Sequence, residues 1–207
     1  MIAIVDYGIG NLRSVEKAFQ HVGATVLVTA DPSRLEAAQG VVLPGVGAFG
    51  DGMAQLRAAG FVPALERLAA GGRPLLGICL GMQLLFEESE EMGRFTGLGL
   101  LPGRVRRFAA NLKVPHIGWN QVHAVRSSPL LEGVAQDGYA YFVHSYYVEP
   151  AGAGDVAATT DYGGPFVSVV GRGHLFGLQF HPEKSQEVGL QMLRNFVAVA
   201  TAEEREA

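Results

Sequence analysis

The chain has 207 residues, with 16 Lys and Arg against 20 Asp and Glu, for a formal net charge of -4. Hydrophobic residues make up 48% and charged residues 17%, a globular composition with length enough for one substantial core. The acidic balance gives no support for nucleic acid as a main partner, and a single cysteine excludes both a disulfide framework and a multi-thiolate metal site.

The first half alternates strand and helix. "IAIVD" (Ile2 to Asp6) is an unbroken apolar run, as a strand covered on both faces requires. It has no basic lead-in and breaks at Asp6, so no signal peptide is expected. No apolar run approaches a membrane span, and a soluble cytoplasmic protein is the expectation. "NLRSVEKAFQHVG" places Leu12, Val15, Phe19 and Val22 near helical spacing and stops on Gly23. "ATVLVT" reads as a strand, "PSRLEAAQG" as a short helix, and "VVLPG" as a third strand ending in a glycine-rich loop. Two helical segments, around Met53 to Ala59 and Val62 to Ala70, lead to the strand "PLLGI" and then to a predicted helix "LGMQLLFEESE". Such repeats imply a parallel sheet with right-handed crossovers.

After about residue 100 the pattern becomes a succession of β-type runs, "RVRRFA", "QVHAVR", "YAYFVHSYYVEP", "DVAATTDYG", "FVSVVGRG" and "HLFGLQFHPE", separated by Gly, Pro and Asp. The basic cluster Arg104 to Phe108 alternates as a strand's solvent face does. "SQEVGLQMLRNFVAVA" closes the chain as an amphipathic helix with Ser185 as N-cap, and "TAEEREA" is expected to fray. The reading is one α/β domain over residues 1–207. It has a single, mostly parallel, flavodoxin-like sheet flanked by helices, with a mixed or antiparallel extension in the C-terminal half.

The cysteine stands in Gly77-Ile78-Cys79-Leu80-Gly81, the thiol form of a nucleophile elbow. A nucleophile at such a strand-to-helix corner sits in a strained backbone, and glycines are needed where the chain closes on itself. The helix N-terminus favours a thiolate, and the Leu80 N–H faces a developing oxyanion. A base is offered by "LQFHPEKS": His181 ends an apolar strand, Glu183 lies on the same side two residues on, and Pro182 stiffens the corner. His21, His116, His123, His144 and His174 compete for that role, but none has an acid so placed. The loop "LPGVGAFGDGM" supplies further N–H groups for an anion, and loops after adjacent parallel strands meet at the carboxyl edge. "DYGIGN" gives Gly8 and Gly10 of a dinucleotide fingerprint, but Arg13 fills the third position and the match fails.

Together "GICLGMQ", "PGVGAF" and "FHPEKS" resemble the class I (triad) glutamine amidotransferases. "DYGIGNLRSV", "LPGVGAFGDGM", "HIGWN" and "YFVHSYY" extend the resemblance over nearly the whole chain to the glutaminase subunits of imidazole glycerol phosphate synthases, of histidine biosynthesis. The resemblance implies a Cys79–His181–Glu183 triad, an oxyanion site at Leu80, Gly45, Val46 and Gly47, and glutamine contacts from Gln83, Glu91, Ser145 and Tyr146. It implies no metal or cofactor, and a heterodimer with a separate cyclase subunit met by Asn11, Trp119, Tyr141 and Lys184. It also implies an enzyme nearly idle alone, with Val46 rotating its peptide on activation. Two other readings stay open on the sequence: a triad glutaminase of another pathway, disfavoured by "DYGIGN" and "GWN", and a non-catalytic flavodoxin-like binding module, disfavoured by His181 and Glu183.

Overall fold

Alternation in the strands decides the layers. The computed structural model describes residues 1–202. In β1 (Ile2–Val5), Ile2 and Ile4 enter one apolar cluster while Ala3 and Val5 enter another on the opposite side, so all four are buried. α1 (Leu12–His21) and α5 (Gln186–Ala202) cover the first side, where Phe19 meets Phe196 edge-on at 6.2 Å between ring centroids. α2 (Phe49–Ala58) and α3 (Phe61–Ala70) cover the second through Met53, Leu56, Phe61 and Leu65. Each such fully buried Phe contributes about 2–3 kcal/mol.

The main sheet has nine strands in the order β2-β1-β3-β4-β13-β12-β11-β8-β9. β2 (Val26–Thr29), β1, β3 (Gly40–Gly45) and β4 (Leu75–Cys79) run parallel, as the strand–helix repeats predicted, and β13 (Leu175–Leu178), from the run "HLFGLQFHPE" expected in the C-terminal extension, joins them in parallel beside β4. β12 (Pro165–Arg172), β11 (Val156–Asp161), β8 (His116–Ala124) and β9 (Gly138–His144) extend it in antiparallel fashion. The expected mixed extension is therefore present. Among the described residues no helix is long and apolar enough to cross a membrane.

Four local expectations change. "PSRLEA" winds as a 3-10 turn, with Asp31 accepting from the Ser33 N–H at 2.9 Å. The helix predicted over Leu80 to Glu90 stops early: α4 is Leu80–Leu84, and Phe86–Ser89 is strand β5. Continuing the helix would need the Leu84 and Leu85 carbonyls, but the N–H groups of Leu98, Leu100 and Leu101 take them at 2.9 Å. β5 and β6 (Phe95–Thr96) join β7 (Leu101–Arg107) and β10 (Tyr146–Pro150) in a second sheet, order β10-β7-β5-β6, instead of extending the first. Alternation marks a strand but carries no information about which sheet receives it. Arg104 does face solvent there, paired with Glu149. Ser185 holds the cap position of α5 by its backbone, its carbonyl accepting from Gly189 N–H, but its hydroxyl is used elsewhere. The expected frayed end beyond Ala202 lies outside the described residues.

α4 lies so close to the sheet that glycine is required beneath it. A Cβ on Gly81 would stand 1.8 Å from the Leu43 carbonyl oxygen, and one on Gly77 would stand 2.6 Å from Gly81 O. Gly81→Ala should therefore cost about 3 kcal/mol or more in urea denaturation. Gly23→Ala, whose Cβ meets nothing within 4 Å at φ +88, should cost only the left-handed backbone penalty of about 1 kcal/mol.

Candidate active site

Four parallel strands, β1, β3, β4 and β13, end at one edge of the sheet, and the chain places its reactive groups just past three of those ends. Cys79 is the last residue of β4, at φ 54 and ψ -112, a backbone conformation that a non-glycine residue holds only under strain. The strain is maintained by packing on both sides. Gly45 stands opposite Cys79 in the β3–β4 register, and a Cβ there would meet Leu80 Cβ at 2.9 Å and Gly81 N at 3.0 Å. Gly177, opposite Gly77 on β13, leaves the space that Met82 fills. The expected elbow is thus present, but its close contacts extend to both neighbouring strands.

β13 pairs Leu178 with Ile78, so the next residue, Gln179, lies beside Cys79, and His181 follows at the same edge. The His181 ring and the Cys79 thiol line the same cleft, close enough for the sulfur to favour a charged ring. Its Nδ1 contacts Glu183 Oε1 at 2.9 Å, with the two side chains only 4% and 1% exposed. Glu183 Oε2 is buried with no hydrogen-bond partner among the described residues, so the imidazole is what neutralises this carboxylate. Burial works against a charged ring, but hydrogen bonds and charges from Cys79 and Glu183 outweigh it and raise His181 to about 10. An imidazolium bridges thiol and carboxylate at neutral pH. The segment is clipped to β9: His181 N–H donates to Tyr141 O at 3.0 Å, Tyr141 N–H donates to Ser185 Oγ at 2.9 Å, and Ser185 Oγ–H donates to His181 O.

These groups open into a cleft of about 510 Å³, counting its mouth. Val46, Gly47 and Leu80 line one wall, and Gln83, Glu91, Ser145 and Tyr146 line it with Cys79 and His181. Val46 is 41% exposed, and Gly47 has φ +93 with open space around it. Gly45 lies behind the wall in the packing described above. Glu91 Oε2 accepts the Phe49 N–H at the start of α2, 2.7 Å away, and burial raises its carboxyl despite that bond. Gln83 Nε2 donates to Tyr146 O at 3.0 Å and to Gln179 Oε1 at 3.1 Å.

Three contributors escaped the sequence reading. Gln179, fully buried, points Nε2 at Cys79 Sγ from 3.9 Å. Its signal was a polar residue in the apolar run "LFGLQF". His144 lines the cleft. Tyr7, given no role of its own within "DYGIGN", packs against Gly45 with its hydroxyl donating to Pro44 O at 2.8 Å, its ionisation suppressed by burial and by charge at Cys79.

Of the expected partner-facing residues, three form one surface group. Trp119 is 47% exposed and meets Tyr141 edge-on at 6.1 Å, with Lys184 Nζ 5.8 Å from the Tyr141 ring centre. Exposure excludes a core role for Trp119, and Ile117 and Tyr139 extend the apolar face. Asn11 precedes α1, makes no side-chain cap, and α1 packs near the Pro182–Lys184 turn.

A strained cysteine with a histidine on the same cleft, and a buried carboxylate on that histidine, fit an acyl-transfer site of the amidotransferase kind. Residues 3–200 match the family described as Glutamine amidotransferase class-I, and the chain belongs to it. Within that family the chain is similar to subunits of imidazole glycerol phosphate synthase. Imidazole glycerol phosphate synthase subunit HisH of Syntrophotalea carbinolica is 54% identical over 95% of this chain and 98% of its own length. The HisH subunit of Methanothermobacter thermautotrophicus is 54% identical over 98% and 100%. In fold, a solved glutamine amidotransferase superposes with a TM-score of 0.78 over 97% of this chain and 99% of its own, at 21% identity.

The ring environments fix a stability profile. Burial, and then the charges of His116 and His181, hold His144 at about 3 against an ordinary 6.5, although its bond to Tyr146 O opposes this. The unfolded chain therefore binds more protons between those values, and stability falls as pH drops below about 6.5. His181 acts oppositely: its contribution is whole below about 6.5 and is lost as pH rises through about 10. Urea midpoints against pH should show both limbs. His144→Phe should flatten the acid limb and His181→Gln the alkaline one.

Proposed function

We propose that the chain, residues 1–207 as one amidotransferase domain, hydrolyses L-glutamine to L-glutamate and ammonia and passes the ammonia to a separate cyclase subunit. With that ammonia the cyclase forms imidazole glycerol phosphate and AICAR in histidine biosynthesis. The similarity to HisH subunits supports the pathway, and the observation that carries the chemistry is the His181 ring beside Cys79 with Glu183 on its Nδ1.

Glu183 occupies Nδ1 of His181, which leaves Nε2 for the sulfur. With the proton on the ring, Cys79 attacks the side-chain amide carbon as thiolate and a C–S bond forms. The oxyanion is received by Leu80 N–H and the Gly45–Val46–Gly47 loop. As the C–N bond breaks, His181 gives its proton to the departing nitrogen, and ammonia leaves a thioester. His181 then takes a proton from water, which attacks the same carbon and releases glutamate and the thiol. Gln83, Glu91, Ser145 and Tyr146 hold the polar end of glutamine. Glu91, placed on the α2 N-terminus, is suited to an ammonium group. Trp119, Tyr141, Lys184 and Asn11 meet the cyclase, and a dry joint there keeps ammonia from protonation in bulk water. The exposed, unencumbered Val46–Gly47 peptide suits the rotation expected on activation.

A glutaminase assay with and without the cyclase subunit and its ligand tests this reading. The complex should turn over glutamine far faster than the isolated chain, and a glutamine-analogue electrophile should label Cys79. Cys79→Ala should lose activity by about 10³-fold or more. Equal turnover in the isolated chain would remove the activation, and an unlabelled Cys79 in the complex would remove the enzyme reading. Glu183→Gln should lower the rate by about 10²-fold or more and move the alkaline limb of the kcat profile to lower pH, since the ring loses its anionic partner.

A further inference from the structure

Behind the cleft lies a buried polar chain that the hydrolysis scheme does not use. His116 and His144 are direct partners in the β8–β9 register, and their rings meet at 3.1 Å between Nδ1 of His116 and Nε2 of His144. His144 Nδ1 is 2.8 Å from Tyr146 O, and His116 Nε2 is 3.2 Å from Asn120 Nδ2. The surroundings are apolar: His116 stacks on Tyr162 at 4.2 Å and on Phe142 at 5.1 Å, and Phe108 and Phe166 pack against both rings.

Hydrogen-bond chemistry dictates every proton in this chain. A carbonyl only accepts, so His144 carries its proton on Nδ1 and its Nε2 accepts. His116 must therefore donate from Nδ1 and accept at Nε2. The opposite end agrees independently. Gln121 N–H donates to Asn120 Oδ1 at 2.8 Å, which turns the Asn120 NH₂ toward Asp161 O, 2.8 Å away, and toward His116 Nε2. Both rings are thus neutral with fixed tautomers. The chain does not end at Tyr146 O. That carbonyl also accepts from Gln83, whose second hydrogen goes to Gln179 Oε1, and this turns the Gln179 NH₂ to Cys79 Sγ.

We propose that His116 and His144 are positioning residues of the glutaminase site: as a neutral, tautomer-locked pair they hold the Tyr146 carbonyl, and through it the Gln83–Gln179 amide pair that flanks Cys79. The proposal rests on the reading of Cys79 as nucleophile. His116 does not line the cleft, so it acts on glutamine only through His144. The atoms it orders, Gln83 and the Ser145–Tyr146 backbone, face bound glutamine, so loss of the relay weakens glutamine binding more than it slows turnover.

Two substitutions separate the hydrogen bond from ring packing. His116→Phe keeps the stacked ring and removes the donor. His116→Asn removes the ring but places an amide nitrogen where Nδ1 stood. In the complex with the cyclase subunit, His116→Phe should raise the glutamine KM about tenfold with kcat changed less, while His116→Asn stays within about threefold of the unaltered KM. Imidazole ¹⁵N shifts of the unaltered chain should show both rings neutral and protonated at Nδ1. An unchanged KM in His116→Phe, a larger loss in His116→Asn than in His116→Phe, or an Nε2-protonated His144 overturns the proposal. A Cys79→Ala variant that keeps glutaminase activity overturns the nucleophile reading instead. An inert Cys79→Ala beside an unaffected His116→Phe removes only the positioning role.

Discussion

The parallel pairing of β13 with β4 is the constraint on which this molecule depends. It sets Leu178 beside Ile78, and so brings Gln179 and His181 to the sulfur of Cys79 across one hundred positions of sequence. No local preference enforces that contact. It follows from burial, because both strands are apolar throughout and both faces of the sheet are covered. The antiparallel strands between them fold outward, β12 pairing with β13 and the rest building on β12, so that β13 is free to return to β4.

That pairing also maintains the strain. A cysteine at φ 54 would relax if its neighbours allowed it. Gly45 on β3 and Gly177 on β13 let α4 settle against the sheet at distances where any Cβ would collide, and Gly81 lies against the Leu43 carbonyl. The cost of the corner is met by packing along the whole of α4, whose five residues are all buried. The corner in turn sets Cys79 and Leu80 on the lining of the cleft.

The site's electrostatics divide its histidines. His181 is charged because a thiol and a buried carboxylate lie beside it, whereas His144, on the strand that binds the 181–185 turn, is neutral because it is buried among aromatic rings and another imidazole, which outweighs its bond to the Tyr146 carbonyl. One residue type is therefore held charged in one place and neutral in another. Tyr141 joins the two regions to the surface: both its backbone groups bind the 181–185 turn while its ring meets exposed Trp119 edge-on.

The sequence by itself determined β1, β2, β3 and β4 of the parallel sheet, through apolar strand runs and helical periodicity, and it singled out Cys79, His181 and Glu183, which the fold brings to one sheet edge. It could do so because an elbow glycine, a proline corner and an i, i+2 pair are local features with local causes. It also marked Gln83, Glu91, Ser145 and Tyr146, which the fold gathers round one cleft, through their place in motifs that resemble a family's. Only tertiary structure decided that α4 ends at Leu84, since distant amides take its carbonyls. Tertiary structure likewise sent β7 and β10 into a second sheet, and turned the Ser185 hydroxyl from capping a helix to clipping Tyr141. The places of Gln179, His116 and Gly177 could not be read for the same reason: what each touches depends on a neighbour brought from elsewhere in the chain, and burial and register, which choose that neighbour, are properties of the folded whole.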